Sequence, residues 1–268
     1  MKRINISLIE QIGTVAKGFT EKYWIEYLKR QYLVKINCEL YNDQDYMEYL
    51  SSIIFKRMGI PVVNVLLSSV DNRCSCMVES YLEPRLIEVQ TEKKWVHGCE
   101  SDNCEKEIST ALFKMKTILF SLSGITEENK RTLEKEYLRM LFGDIVINNE
   151  ERMLKNISII YDETTKNYSL APAYDHGLAF HAFSVDQNNP VNYIGNDYFQ
   201  SEDILNYLLK HHKETITDLI SKLSLLTGEI KDVIENNSVE IVPEKKEFII
   251  NHINKINKLC LQKSYPKK

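Results

Sequence analysis

Asn148-Asn149-Glu150-Glu151-Arg152-Met153-Leu154-Lys155-Asn156 and the later Ala171-Pro172-Ala173-Tyr174-Asp175-His176-Gly177 are the two stretches on which the reading of this chain turns. The first puts a carboxylate, Glu151, five residues before an amide side chain, Asn156, in a polar loop between a helical pattern and a strand pattern. The second ends in an Asp just before a small-residue turn. Between them, Ile157 to Tyr161 and Tyr168 to Ala171 flank the turn-rich Asp162 to Asn167, the pattern of a short hairpin. Each stretch by itself reads as a cap or a turn and nothing more. Together, in this order, they offer three metal- and proton-handling groups held by one hairpin.

Moving a phosphoryl group depends on positioned charge more than on covalent chemistry. It needs a cation on the phosphates, a carboxylate and an amide oxygen on a divalent ion, and a carboxylate near the attacking hydroxyl. Upstream, Lys35 is a lone Lys in the apolar strand Leu33-Val34-Lys35-Ile36, and its ammonium must meet an anion if that face turns inward. A strand Lys reaches out to solvent about as often. Glu48, on the helix that follows, is the candidate partner. Gly13-Thr14-Val15-Ala16-Lys17-Gly18 offers backbone N–H groups that can approach phosphates closely, with Lys17 adding charge, although alone it also reads as a β-turn. It lacks the G-K-[ST] ending of a Walker A loop.

Outward from these residues the pattern predicts an α+β chain. Ile4, Ile6 and Leu8 alternate as in a half-buried strand, and Tyr23 to Leu28 with Tyr32 to Ile36 predict a hairpin joined by Lys29-Arg30-Gln31. Met47, Leu50, Ile54 and Met58 recur at helical spacing after Asn42 or Asp43 and stop at Gly59-Ile60-Pro61. Strands over Val62 to Val70 and Met77 to Leu82 complete a small antiparallel sheet with one helix across it. After a polar stretch from Glu83 to Asn103, helical stripes run from Ile108 to Leu122 and from about Glu127 to Ile147. From Ser201 to Ser264 the chain reads as helical, with breaks near Gly228 and Pro243. The expected division is a β-rich lobe over 1–83 and a helical lobe over 84–268.

The chain has 268 residues, 43% hydrophobic and 27% charged, which is enough apolar material for a sizeable core and argues against disorder. Its net charge of -4 gives no electrostatic footprint for direct nucleic-acid binding. No apolar run reaches membrane-spanning length and the N-terminus lacks a signal-peptide core, so a cytoplasmic protein with no membrane association is expected. Six Cys at irregular spacings predict reduced thiols. His97, Cys99 and Cys104 with Cys74 or Cys76 could be grouped as zinc ligands, but their spacing fits no structural zinc pattern. His211 and His212 are expected to face solvent beside Lys210 and Lys213.

The two opening stretches resemble the HipA-like kinases, including the short CtkA-like members, whose catalytic segment reads N-x-D-R-H-x-x-N followed by a hairpin and P-x-[FY]-D-x-G. Asn149 to Asn156 and Pro172 to Gly177 carry the match, which extends to the loop from Gly13 to Gly18, to Lys35 and to the region of Glu48. The resemblance implies a bilobal kinase fold, ATP with Mg2+, and transfer to Ser or Thr of a protein substrate, with an antitoxin or regulator protein as a further partner. On it, Gly13, Thr14, Lys17 and Gly18 would cover the phosphates, and Lys35 would contact them while pairing with Glu48. Glu79 and Tyr81 would belong to the adenine-contacting hinge, Asn156 and Asp175 would hold Mg2+, and Glu151 would stand for the catalytic Asp. Thr14 and Thr20 are the nearest hydroxyls for autophosphorylation. Glu151 in place of Asp and Met153 in place of His keep a second reading open, a nucleotide-binding pseudokinase that acts through protein contact.

Overall fold

The computed structural model describes residues 3–14, 20–38, 43–90, 115–149, 152, 154–180, 193–194, 199–236 and 241–264. Its first layer is a six-stranded sheet built from β1 (Ile4–Asn5), β2 (Gln11–Thr14), β3 (Lys22–Tyr27), β4 (Arg30–Ile36), β5 (Val65–Val70) and β6 (Arg73–Glu79) in the order β1-β5-β6-β4-β3-β2. Only the β1–β5 pair is parallel. Period-two alternation sorts its side chains onto two faces. Tyr23, Ile25, Tyr32, Val34, Ile36 and Met77 close a small core with Ile6 on one face, whereas Cys76 and Val78 join the main core through the other.

Helix α1 (Gln44–Met58) lies on that second face, ended by Gly59 in the left-handed conformation at φ 71°. Both of its ends are tied down. Arg3 pairs with Asp45 and donates to the carbonyls of Ser68 and Ser75, and Lys245 pairs with Asp43 at the N-terminal end. Arg57 pairs with Glu229 at the other.

The main core continues through α2 (Glu127–Val146), α3 (Ser201–His211), α4 (Lys213–Glu235) and α5 (Pro243–Ser264), with a helical segment over 115–120. Thr126 caps α2 by accepting from the Asn129 N–H at 3.1 Å. A three-stranded sheet, β7 (Leu86–Gln90), β8 (Ser158–Asp162) and β9 (Asn167–Leu170), and a short pair, β10 (Tyr193–Ile194) with β11 (Phe199–Gln200), complete the described residues. Among them no helix is long and apolar enough to cross a membrane.

The α+β class and most elements match the sequence pattern, and the differences have physical reasons. The first strand stops at Asn5, and Leu8 projects fully into solvent because the Ser7 hydroxyl donates to Asn5 Oδ1 and accepts from the Asp71 N–H, turning the chain away. β5 begins at Val65 and not Val62, because Val62 and Val63 pair instead with Ala173. β6 runs from Arg73 to Glu79, earlier than expected. The hairpin turns at Leu28-Lys29, both at positive φ, not at Lys29 to Gln31. The polar stretch after Glu83 holds a strand, β7, whose Ile87 and Val89 are the β-formers it had to offer. Gly228 lies inside α4, and the helical run breaks at His212 and before Pro243. His211 is exposed as expected, but His212 is half-buried and both rings sit against Tyr207.

Candidate active site

The parallel bridge between Val62 and Ala173 fixes the site. Val63 N–H donates to the Ala173 carbonyl at 3.1 Å, and Ala173 N–H returns to the Pro61 carbonyl at 2.9 Å. The chain leaving Ala173 is thereby held against the end of α1. Two residues on, Asp175 takes φ 61°, a conformation that costs a non-glycine residue on the order of 1 kcal/mol or more and that surrounding contacts must enforce.

Those contacts are charged. Lys35 on β4 pairs with Glu48 of α1 and donates to Asp175 Oδ1 at 2.7 Å, while Glu48 Oε2 accepts the His176 backbone N–H at 2.9 Å. Glu48 is completely buried, so each of its oxygens needs this partner. Burial alone would lower the Lys35 pKa, but Asp175 and Glu48 overcome it and the net shift is upward. Lys35 in turn holds the Asp175 carboxyl well below the usual carboxylate range, against the opposing effect of burial. The structure thus brings together Lys35 and Glu48, the pair expected from the sequence, and sets Asp175 against the same ammonium.

Lys35 and Asp175 line a cleft of about 270 Å³ together with Lys22, Trp24, Leu33, Val63, Val78, Glu79 to Leu82, Glu88 and Tyr174. Trp24, Leu33, Val63 and Val78 give this lining its apolar part. Tyr81 is stacked on Tyr174 at 5.7 Å and donates to Glu88 Oε1 at 2.6 Å. Ser158 donates to the same oxygen and lies 2.9 Å from the Tyr174 hydroxyl. Burial and the bond to Glu88 raise the Tyr81 pKa, so its hydroxyl stays protonated. The Glu79 side chain is taken up by Arg30 and by Asn64 Nδ2 at 3.2 Å.

A second charged cluster lies beneath the first. Arg152 Nε and Nη2 donate to the two oxygens of Asp144 at 2.9 and 3.0 Å, and Asn149 Nδ2 donates to Asp144 Oδ1 at 2.8 Å. Arg152 Nη1 donates to the carbonyls of Asn156 at 2.7 Å and Tyr174 at 3.0 Å. Its Nη2 also donates to His176 Nε2 at 2.7 Å, which puts the imidazole proton on Nδ1. Burial and the neighbouring guanidinium push His176 well below its ordinary pKa, so the ring is neutral. One guanidinium therefore joins the end of α2, the 154–156 turn and the Asp175 loop. The sequence reading assigned Arg152 and Asp144 no role. The signal was there: Asp144 continues the buried stripe of Tyr137 and Leu141, where a carboxylate must find a partner.

Asn156 is buried and within this framework. Gly13 pairs with Trp24 at the edge of the sheet, and Thr14 ends β2. The Thr14 side chain, Lys17, Gly18, Glu151 and Met153 lie outside the described residues, as do His97, Cys99 and Cys104. Cys74 is exposed and Cys76 buried, and no cluster of three or more His, Cys, Asp or Glu suited to a metal occurs among the described residues.

A mostly antiparallel sheet crossed by one helix, a strand Lys paired to that helix, and an Asp in the loop after the β8–β9 hairpin define a kinase-like α+β fold. The family model of the HipA-like C-terminal domain matches residues 14–235, and the chain belongs to that family. The crystal structure of the Helicobacter pylori proinflammatory kinase CtkA superposes at a TM-score of 0.69 with 14% identity, covering 100% of both chains. HipA of the Shewanella oneidensis MR-1 toxin–antitoxin system, solved with HipB and operator DNA, superposes at 0.56 with 15% identity over 94% of this chain and 66% of HipA. A search of curated proteins matched none to this sequence.

Proposed function

We propose that this chain is an ATP-dependent protein kinase that transfers the γ-phosphoryl group to a Ser or Thr hydroxyl. The observation that carries the reading is the contact of Lys35 with both Glu48 and Asp175 beside a cleft whose lining joins Lys35 and Asp175 to apolar and aromatic side chains. A nucleotide likewise joins charged phosphates to a flat base. Its base fits between Leu33 and Tyr174, and its phosphates fall toward Lys35. Asp175, kept ionised by Lys35, and the amide oxygen of Asn156 are the hard oxygen donors that suit Mg2+. When bound, the ion would neutralise charge on the phosphates. Lys35 orients the phosphates, Tyr174 and Leu33 sandwich the base, and Glu151 is the candidate to accept the substrate hydroxyl proton. In this reading 1–83 and 84–268 are the two lobes of a single catalytic domain. The substrate is a protein, an antitoxin-type regulator is a further partner, and Thr14 or Thr20 is the autophosphorylation site.

A pseudokinase remains the second reading because of Glu151 and Met153. The extra methylene of Glu151 displaces its carboxylate by roughly 1 Å, enough to cost on the order of a hundredfold in rate. Transfer of label from γ-labelled ATP with Mg2+ or Mn2+, measured for wild type, Lys35→Ala and Asp175→Asn, tests the proposal. Transfer that both substitutions abolish is expected. Nucleotide binding with no transfer, unchanged by Glu151→Asp, would establish the pseudokinase instead.

A further inference from the structure

Helix α1 carries Glu48, on which Lys35 and the Asp175 loop both rest, so whatever fixes α1 fixes the site. Its first turn meets that loop directly. A Cβ placed on Gly177 would lie 3.5 Å from Gln44 Cγ, so the opening residue of α1 packs on the segment that carries Asp175 and His176.

The preceding residue, Asp43, occupies the N-cap position but makes no side-chain bond to its own helix. An Asp there ordinarily takes up an N–H of the first turn. Its carboxylate goes instead to Lys245, in the first turn of α5 and 202 residues away along the chain. Lys245 is placed against its own preferences. Its side chain is only 4% exposed, and it stands at the positive end of the α5 dipole, where a cation is disfavoured. An ion pair buried in this way adds little net stability, since the loss of hydration offsets the attraction. What it adds is a fixed distance between two helices that apolar contacts alone would let slide. α5 is well anchored for that purpose: Ile249, Ile253 and Ile256 lie in the main core, and His252 reaches the Ile145 carbonyl of α2 at 2.9 Å. At the far end of α1 the Arg57–Glu229 tie is 46% and 55% exposed, and water weakens it.

We propose that Lys245 is a positioning residue for the site. From α5 it seats the first turn of α1 over the Asp175 loop, and so sets the geometry in which Glu48 holds Lys35 and the His176 N–H. The proposal rests on the nucleotide reading of the cleft and extends it to a helix that gives the cleft no lining residue among those described. Lys245 touches no nucleotide and acts through α1.

The test uses Lys245→Met, Lys245→Arg, the double variant Lys245→Met with Asp43→Asn, and Ile256→Val as a core change on the same helix that leaves the ion pair intact. Each is compared with wild type by residue-resolved amide hydrogen exchange without ligand, by calorimetric titration of ATP with Mg2+, and by thermal melting. In Lys245→Met the amides of Met47 to Leu50 and of His176 should exchange roughly 3-fold to 30-fold faster, and ATP affinity should fall by a comparable factor. The double variant should match it, and Lys245→Arg should restore most of both. Ile256→Val should lower the melting temperature with neither change. Wild-type exchange and affinity in Lys245→Met would overturn the proposal, as would a Lys245→Arg no better than Lys245→Met. So would an Ile256→Val that loses as much affinity as Lys245→Met, for the effect would then be general loss of stability. Wild type that binds no ATP would overturn the nucleotide reading, while the exchange rates, which need no ligand, would still decide whether Lys245 seats α1.

Discussion

The two charged clusters of the molecule share a loop and differ in almost everything else. The upper one, Lys35 with Glu48 and Asp175, uses a point-charge ammonium between two carboxylates on the wall of a cleft, and Asp175 remains 28% exposed. The lower one, Arg152 with Asp144, Asn149 and His176, is sealed, with both members of its ion pair at 0% exposure. Every guanidinium nitrogen of Arg152 has a partner, and those partners belong to three separate segments. The upper cluster has capacity left over for a ligand and the lower has none. A planar, multiply bonded Arg suits a fixed junction, whereas a single Lys beside one partly exposed carboxylate suits a group that comes and goes.

That contrast is broken most forcefully from below. Arg152→Met leaves Asp144 buried without its counter-charge and should destabilise the fold by about 3 to 5 kcal/mol in urea unfolding. Asp175→Asn removes one of the two carboxylates on Lys35 but leaves the Lys35–Glu48 pair in place, so it should destabilise the fold clearly less than Arg152→Met while nucleotide affinity is lost. If the two substitutions had equal effects on stability, the division into a closed and an open cluster would be wrong.

The next largest effect is in pH. His252 is buried, donates from Nε2 to the Ile145 carbonyl at 2.9 Å, and burial lowers its pKa to about 4. Because the folded value is depressed, the unfolded chain takes up the proton first as the solution is acidified. The contribution is therefore fully present above about pH 6.5 and lost as pH falls toward 4, on the order of 3 kcal/mol for one such group. His176 shifts in the same direction. His252→Gln should flatten the stability profile between pH 6.5 and 4, and an unchanged profile would remove His252 from the account.

A smaller effect concerns the approach of the two clusters. Gly143 precedes Asp144, and a Cβ there would lie 2.6 Å from Phe55 Cζ and 2.8 Å from Ile60 Cδ1. Gly143→Ala should cost about 1 to 3 kcal/mol through overpacking between α1 and α2. Arg57→Ala, which removes a partly exposed pair with Glu229, should cost less than about 1 kcal/mol and shrink further in high salt. Chemical denaturation of both variants at two salt concentrations checks this order.

The upper cluster was legible in the sequence because local rules reach it. A Lys in an apolar strand, a Glu on the next helix and an Asp before a small-residue turn each create a demand that the others meet. Asp144 and Arg152 were harder to see, since their pairing is a contact between a helix and a loop that no local period announces. Lys22 was invisible for a sharper reason. With the hairpin turn at Lys29 to Gln31, Leu28 would pair with Tyr32 and Lys22 would lie opposite Cys38. The observed turn at Leu28-Lys29 slides the register and brings Lys22 opposite Lys35. Glu88 was missed because β7 was read as part of a polar connection, and its partner strand β8 lies far along the chain.

The most direct test of the account is the affinity of Mg2+-bound ATP for wild type and for Asp175→Asn, measured by calorimetric titration at a temperature well below the cooperative melting of both. The account expects wild type to bind, and Asp175→Asn to lose most of that affinity while remaining folded. Equal affinity in the two proteins would contradict it, for then the carboxylate beside Lys35 would serve the fold and not the ligand.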